Sequence, residues 1–351
     1  MTVTLSTACL TAACLAGAGL SPAKADTGAL QLTSYVQTRL TLPAGADAYI
    51  SVRRLKLSLE ERWDAQGGYY VQGLYKDGNR SATDGRAYLQ ELRLWQDLGD
   101  VRLTAGMFKP PFGWERFTPD SELATADRSP ATDHLIPCGS LGESFARDYG
   151  LQAQWGRHGR AYTIGLFGGA GANNEMHGFA PLATARMTWD SAATSTRRHG
   201  ELAFAWRPAR NLDLGAQLPG TASVGYADFT GTDVRLDAAL GFSGQRWGVR
   251  GEYLYAFLDP ADPNQARVAA AGFYVQGTYQ LTPRIELALK YDGLDPYLSA
   301  DTGQDLWQTA LGANYYIHDH REQVQVSYAL RSGRAAEPLG DLWSCQYQRF
   351  F

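Results

Sequence analysis

Apolar and polar residues alternate with a period of two along most of this chain. Leu55, Leu57 and Leu59 share one face of a segment whose other face carries Arg54, Lys56, Ser58 and Glu60. Val101, Leu103, Ala105 and Met107 oppose Arg102 and Thr104, and Tyr149, Leu151, Ala153 and Trp155 oppose Asp148, Gln152 and Gln154. The rhythm returns in Ile285, Leu287, Leu289 and Tyr291 against Glu286, Lys290 and Asp292, and in Val324, Val326, Tyr328 and Leu330 against Gln323, Gln325 and Ser327. A strand sends successive side chains to opposite faces, so each segment reads as a strand with one apolar and one polar face.

The connections alternate in length. Short ones fall near residues 64–68, 97–100, 156–159, 243–246, 281–284 and 317–320. Long ones fall near 42–48, 77–85, 109–146, 168–180, 208–231, 258–270, 293–304 and 332–341. Short turns at one rim and long loops at the other are the pattern of a transmembrane barrel. The expected fold is all-β, a sixteen-stranded antiparallel transmembrane β-barrel, with one join around residues 191–199 left open. An even strand number with both termini at the short-turn rim closes without an edge, as a lipid-embedded sheet must. Trp63, Tyr69, Trp95, Trp155, Trp189, Trp206, Trp247, Tyr315 and Tyr316 gather near predicted strand ends and are expected to form interfacial girdles.

Composition narrows the classes further. With 19 Tyr, 9 Trp and 13 Phe the chain is too aromatic to remain unfolded. A formal net charge of −4 excludes a nucleic-acid binder that relies on bulk positive charge. Residues 8–20 form a small, apolar, uncharged run, and Ala23, Lys24 and Ala25 before Asp26 have the shape of a signal-peptidase site. The reading is a secretory signal over residues 1–25 and a barrel over 26–351. After the signal no run approaches 18 apolar residues, so any crossing of a membrane is made by strands. Cleavage leaves Cys138 and Cys345, too few for a disulfide framework or a zinc site. Cys345 falls on the predicted lipid-facing phase, as do Trp343, Tyr347 and Phe351.

The longest connection, residues 109–146, is rich in Pro, Gly and charge and too long for a plain surface turn. Thr118 before Pro119, Asp120 and Glu122 is a helix-start signal and predicts a short helix there. The runs LTAGMFKPPFGWER (103–116), ADRS (126–129) and RDYGLQ (147–152) resemble the phosphate-selective porin O/P family, with supporting matches in VRRL (52–55) and GFYVQ (272–276). The resemblance implies a trimeric outer-membrane porin of sixteen strands whose third loop folds inward and narrows the lumen, with no cofactor. It also implies that Arg53, Arg54, Arg116 and Arg128 stand where the family sets basic residues around its constriction. Two positions depart from that pattern: Ala29 where some members carry a further Arg, and apolar Leu74 near an expected acid.

Guanidinium groups suit phosphate or carboxylate because they stay charged and offer forked donors. The same arginines could instead pair with Asp120, Glu122 and Asp127 and brace the loop. Strand faces expected to point inward add Lys56, Lys76, Arg93, Arg102, Arg235, Arg250 and Lys290. Between Lys109 and Asp148, however, four bases (Lys109, Arg116, Arg128, Arg147) meet seven acids (Glu115, Asp120, Glu122, Asp127, Asp133, Glu143, Asp148), which argues against a loop that attracts anions as a whole. The expected function is passive diffusion of small hydrophilic solutes with a modest preference for anions, phosphate being one candidate. Expected partners are outer-membrane lipids, small anions and further copies of the chain.

Two other classes compete. Asp133 and His134 near Ser140 and Ser144 would suit a lipid or ester hydrolase, but no Gly-x-Ser-x-Gly elbow accompanies them. A barrel plugged by residues 109–146 would be structural and closed. His318 and His320 look like a metal pair yet fall in a short turn without companion ligands, which turn polarity explains.

Overall fold

The computed structural model describes residues 28, 30–77, 85–136, 146–173, 180–193, 195–212, 214, 218, 229–299, 304–333 and 340–351. The segment expected to be a signal, Ala29, Cys138, Ser140, Glu143 and Ser144 lie outside the described residues.

Sixteen strands form one closed antiparallel barrel among the described residues. They are β1 (Gln31–Pro43), β2 (Tyr49–Arg62), β3 (Gly67–Lys76), β4 (Arg86–Leu98), β5 (Val101–Phe108), β6 (Asp148–Arg157), β7 (Arg160–Phe167), β8 (Leu182–Ala193), β9 (Thr196–Leu212), β10 (Phe229–Ser243), β11 (Trp247–Pro260), β12 (Val268–Thr282), β13 (Ile285–Asp295), β14 (Leu306–His318), β15 (Glu322–Gly333) and β16 (Leu342–Phe350). Each strand pairs with its sequence neighbours, and β1 closes on β16 from Tyr35 opposite Phe350 to Pro43 opposite Leu342. At the join left open in the sequence, β8 pairs with β9 up to Ala193 opposite Thr196. At the β6–β7 turn His158 (φ 52°) and Gly159 (φ 72°) both take left-handed conformations, the backbone that lets a two-residue hairpin follow the strand twist.

Leu57, Leu151, Leu289 and Leu311 are each more than half exposed, while Lys56, Lys290, Gln325 and Gln346 on the opposite phase are buried. An apolar outer band around a polar interior inverts the soluble arrangement and fits a barrel set in lipid. No described helix is long and apolar enough to cross a membrane.

Among the described residues the alternation breaks in several places, of which Met107, Trp95, Tyr316 and Arg53 are instructive. Met107 lies in the outward phase yet is fully buried, next to Gly106, whose φ of 129° interrupts the pleat. Trp95 and Tyr316 point inward: Trp95 shares the phase of Arg93, and the Tyr316 hydroxyl donates to Glu286 at 2.9 Å. In β2 the register slips, Gln37 facing Arg54 and Thr38 facing Val52, which leaves Arg53 as the extra residue of a bulge. Strict alternation would separate Arg53 from Arg54, and the bulge aims both at the same loop.

That loop carries two short helices, α1 (Trp114–Phe117) and α2 (Pro130–Leu135). The helix expected after Thr118 is absent; Thr118 instead ends α1. The start signal belongs to Ser129 and Pro130, where the Ser129 hydroxyl accepts the Ala131 N–H. Between the helices the wall competes for the backbone. Gln348 and Gln323 donate to the Ser121 carbonyl, Gln325 to Leu123, Asn314 to Ala124 and Arg39 to Ala126. Those carbonyls are taken by strands β14, β15, β16 and β1, so after a turn closed by the Glu122 N–H on the Pro119 carbonyl at 3.0 Å the chain to residue 128 follows the wall in bends and not as a helix.

Toward the long-loop ends of β9 to β13 the inward face turns apolar. Leu254, Ala256, Leu258, Val268 and Ala270 pack with Phe112, Ala131, Leu135 and Ile136 of the loop in one buried cluster. Gly272 admits α2 closely, since a side chain there would meet Ala131 at 2.5 Å.

Candidate functional site

Two loop carboxylates gather the basic residues. Asp120 receives Arg54 at 3.1 Å, Lys56 at 2.9 Å and Arg128 at 2.9 Å. Asp127 receives Arg39 at 2.8 Å and Arg53 at 3.3 Å. Burial raises the Asp120 carboxyl, but Arg54, Lys56 and Arg128 outweigh it and hold the group well below the usual carboxylate range. Burial likewise opposes Asp127, and Arg39 and Arg53 again bring it below its ordinary value. The structure thus unites Arg53, Arg54, Arg128 and Lys56. Arg116 does not join them: it is buried in α1, where its charge opposes the effect of burial on Asp133.

Glu122 was expected among the braces but makes no such pair among the described residues. Its Oε2 is buried without a partner, and burial pushes the carboxyl up to about 7. Arg39 is the basic residue that sequence reasoning missed. It donates to Asp127, to the Ala126 carbonyl at 2.6 Å and to Gln346. The signal was available, since Gln37, Arg39 and Thr41 share the buried phase of β1.

On the opposite wall the loop is held by a buried network. Glu252 of β11 accepts the Trp114 N–H at 2.9 Å and the Glu115 N–H at 2.8 Å, binding the start of α1. Glu115 accepts Lys290 at 3.3 Å and the Ser129 N–H at 2.8 Å, tying the two helices together. Arg235 clasps Asp233 with two 2.9 Å bonds and also donates to the Leu135 carbonyl. Arg250 reaches Thr118 Oγ1 at 3.2 Å.

Two cavities flank the loop. One, of about 570 Å³, lies against the β1–β6 wall and is lined by six bases (Lys56, Arg62, Arg93, Arg102, Lys109, Arg147) and three carboxylates (Glu60, Glu91, Asp120). Burial, reinforced by Arg147, pushes the Lys109 amine well below its ordinary value. Arg102 is held by Asp97 at 2.6 and 2.8 Å. Lys76, at the loop-side end of β3, lines neither cavity. The other cavity, of about 470 Å³, lies against β8–β14 and balances Arg197, Arg198 and Arg250 with Glu122, Asp190 and Glu286. In the turn below, His318 pairs with Glu322 at 2.8 Å and His320 packs on Tyr316. Cys345 is a free, exposed thiol on the outer face.

A closed sixteen-stranded barrel with an apolar exterior, a charged lumen and a long loop bonded to inward-facing side chains defines a porin-type channel. A model of the family described as phosphate-selective porin O and P matches residues 37–339, and the chain belongs to that family. It is an outer-membrane protein that passes small solutes by passive diffusion. No curated protein matches the sequence.

Solved structures share the fold. The anion-selective porin from Comamonas acidovorans has 13% identity and a TM-score of 0.63, covering 92% of this chain and 99% of that one. OprB of Pseudomonas putida has 9% identity and a TM-score of 0.64, covering 92% and 94%. The trimer form of OmpT from Vibrio cholerae has 14% identity and a TM-score of 0.61, covering 93% and 100%.

Proposed function

We propose that this porin prefers small anions modestly, without a dedicated phosphate site, and that it works as a trimer and not as an enzyme. The observation that carries the reading is the cavity beside the β1–β6 wall, where six basic side chains face three carboxylates. In a narrow, low-dielectric passage such an excess raises the local concentration of anions and lowers that of cations. The preference is modest because Asp120 and Asp127 already occupy Arg39, Arg53, Arg54, Lys56 and Arg128.

Arg53, Arg54 and Arg128 then do two jobs, bracing the loop and setting the field that a passing anion meets. Arg116 contributes from within α1. The trimer rests on family membership and on the trimer form of the OmpT neighbour. Residues 1–25 act as a cleaved signal, and residues 109–146 as the constriction. The test is the reversal potential of the refolded chain in planar bilayers under a KCl gradient. The expected sign is anion-selective, weaker in an Arg54→Ala/Arg128→Ala variant. Cation selectivity in both proteins would overturn the reading.

A further inference from the structure

We infer that the cavity beside the β1–β6 wall is a binding station for hydroxylated organic anions, polyols that carry one carboxylate or phosphate group, and not for inorganic phosphate. The inference rests on the anion preference proposed above and names the solute class it serves. Its volume of about 570 Å³ falls within the range of sites that hold small organic molecules.

The bases nearest the loop are turned onto it. Arg128 donates to the Glu115 and Thr118 carbonyls and to Asp120, and Arg54 donates to Gln37 and pairs with Asp120. A bare phosphate gives up its water only to several donors aimed at it together, and these guanidinium groups are aimed at protein oxygens instead. Arg93 differs. Its side chain is 40% exposed, its pairing with Glu91 is stretched to 3.6 Å, and its guanidinium lies 4.7 Å over the Tyr70 ring. It is placed to hold one anionic group at the cavity wall.

The rest of the cavity offers uncharged hydrogen-bonding groups. The Tyr35 side chain lines this cavity, and its hydroxyl, buried just beneath that surface, has no hydrogen-bond partner among the described residues. Buried hydroxyls are ordinarily paired, so this one calls for a group that a solute can bring. Thr104, Gln152 and Gln154 line the same space with both donors and acceptors, which match the hydroxyls of a polyol. Tyr35 also stacks on Phe350 at 4.8 Å, which stiffens that end of the cavity.

The experiment titrates current interruptions through the refolded chain in planar bilayers with gluconate, glucose 6-phosphate, acetate, inorganic phosphate and sorbitol. Gluconate and glucose 6-phosphate are expected to half-block at concentrations about tenfold lower than acetate or inorganic phosphate, with sorbitol silent. Arg93→Gln should raise the half-blocking concentration of both polyol anions about tenfold and Tyr35→Phe about threefold, leaving acetate unchanged. Block by gluconate alone, or by glucose 6-phosphate alone, overturns the shared class in favour of that one head group. Inorganic phosphate or acetate blocking as well as the polyol anions overturns the class. Sorbitol blocking equally overturns the part given to Arg93, and block unaltered in both variants overturns the location. The reversal potential of the same channels reports on the anion preference separately, so the two readings fail in distinguishable ways.

Discussion

The two sides of the loop solve different problems with the same residue types. Against β1 and β2 the loop offers carboxylates to wall bases, of which Lys56 also lines an open cavity, as does its partner Asp120, and the basic side chains around that space outnumber the acidic ones. Against β11 and β13 the pairing is buried: Glu252 holds two backbone N–H groups, Lys290 holds Glu115, and the adjoining cavity sets three arginines against three carboxylates, with His199 and His320 beside them. Ion pairs taken out of water anchor, because breaking one leaves an uncompensated charge. Pairs left beside a solvent-filled space set a field that a mobile ion also feels. One loop is therefore fixed on one flank and functional on the other.

The largest effect should come from breaking the anchor. Lys290 and Glu115 are both fully buried, and Lys290 is the strongest charge opposing the burial of Glu115. Lys290→Met should cost about 3–5 kcal/mol of loop attachment, while the barrel keeps its backbone ladder. Amide hydrogen exchange across residues 113–136 should then speed up by about a hundredfold or more, with β14 to β16 unchanged. Arg54→Gln, on the other flank, should barely alter exchange, since Lys56 and Arg128 still hold Asp120. Equal acceleration in both variants would erase the distinction between the flanks.

The second effect is on selectivity. Asp120→Asn removes one of three carboxylates from the basic cavity and releases Arg54, Lys56 and Arg128 toward it. The chloride-to-potassium permeability ratio should rise about tenfold, roughly 1.4 kcal/mol. Glu286→Gln in the balanced cavity should change it less than about twofold, because the field there starts near neutral. A larger shift from Glu286 than from Asp120 would move the selective passage to the β8–β14 side.

How much of this was legible depended on the range over which residues interact. Strand phase is local, and Leu55, Leu57 and Leu59 against Lys56 and Ser58 disclosed it, as did the rhythm of turns and loops. The family motif marked the loop, and Arg53, Arg54 and Arg128 came with it. The bulge at Arg53 was hidden, because a register slip belongs to two strands. The false helix start at Thr118 has the same root: the Asp120 carboxylate is taken by wall bases and the neighbouring carbonyls by Gln323, Gln325 and Asn314, partners about 200 residues away along the chain. The apolar inward patch of Leu254, Ala256 and Leu258 escaped notice because alternation identifies a face without saying whether water or a loop will cover it.

The smallest effect sharpens the comparison by pH. Glu122 borders the balanced cavity with its Oε2 unpartnered, and burial pushes its carboxyl up to about 7 from an unfolded value near 4.5. A carboxyl whose folded value is raised keeps its proton in the folded state between those limits, so its contribution to stability is greatest below the unfolded value and declines as pH climbs toward 7. The same titration changes the charge of the cavity. Below about 6 Glu122 is neutral, and Arg197, Arg198 and Arg250 face only Asp190 and Glu286; above about 8 the balance is restored. His320, in the same cavity, is pushed below its ordinary value by burial. The chloride-to-potassium permeability ratio should fall about twofold from pH 5.5 to pH 8.5. Glu122→Gln should hold it near its acid value throughout, whereas Asp120, held charged by three bases, gives no such dependence above pH 5. A titration that survives Glu122→Gln unchanged would assign the pH response to another group, the first to test being His199, which lines the same cavity and bonds Asp190 at 2.8 Å.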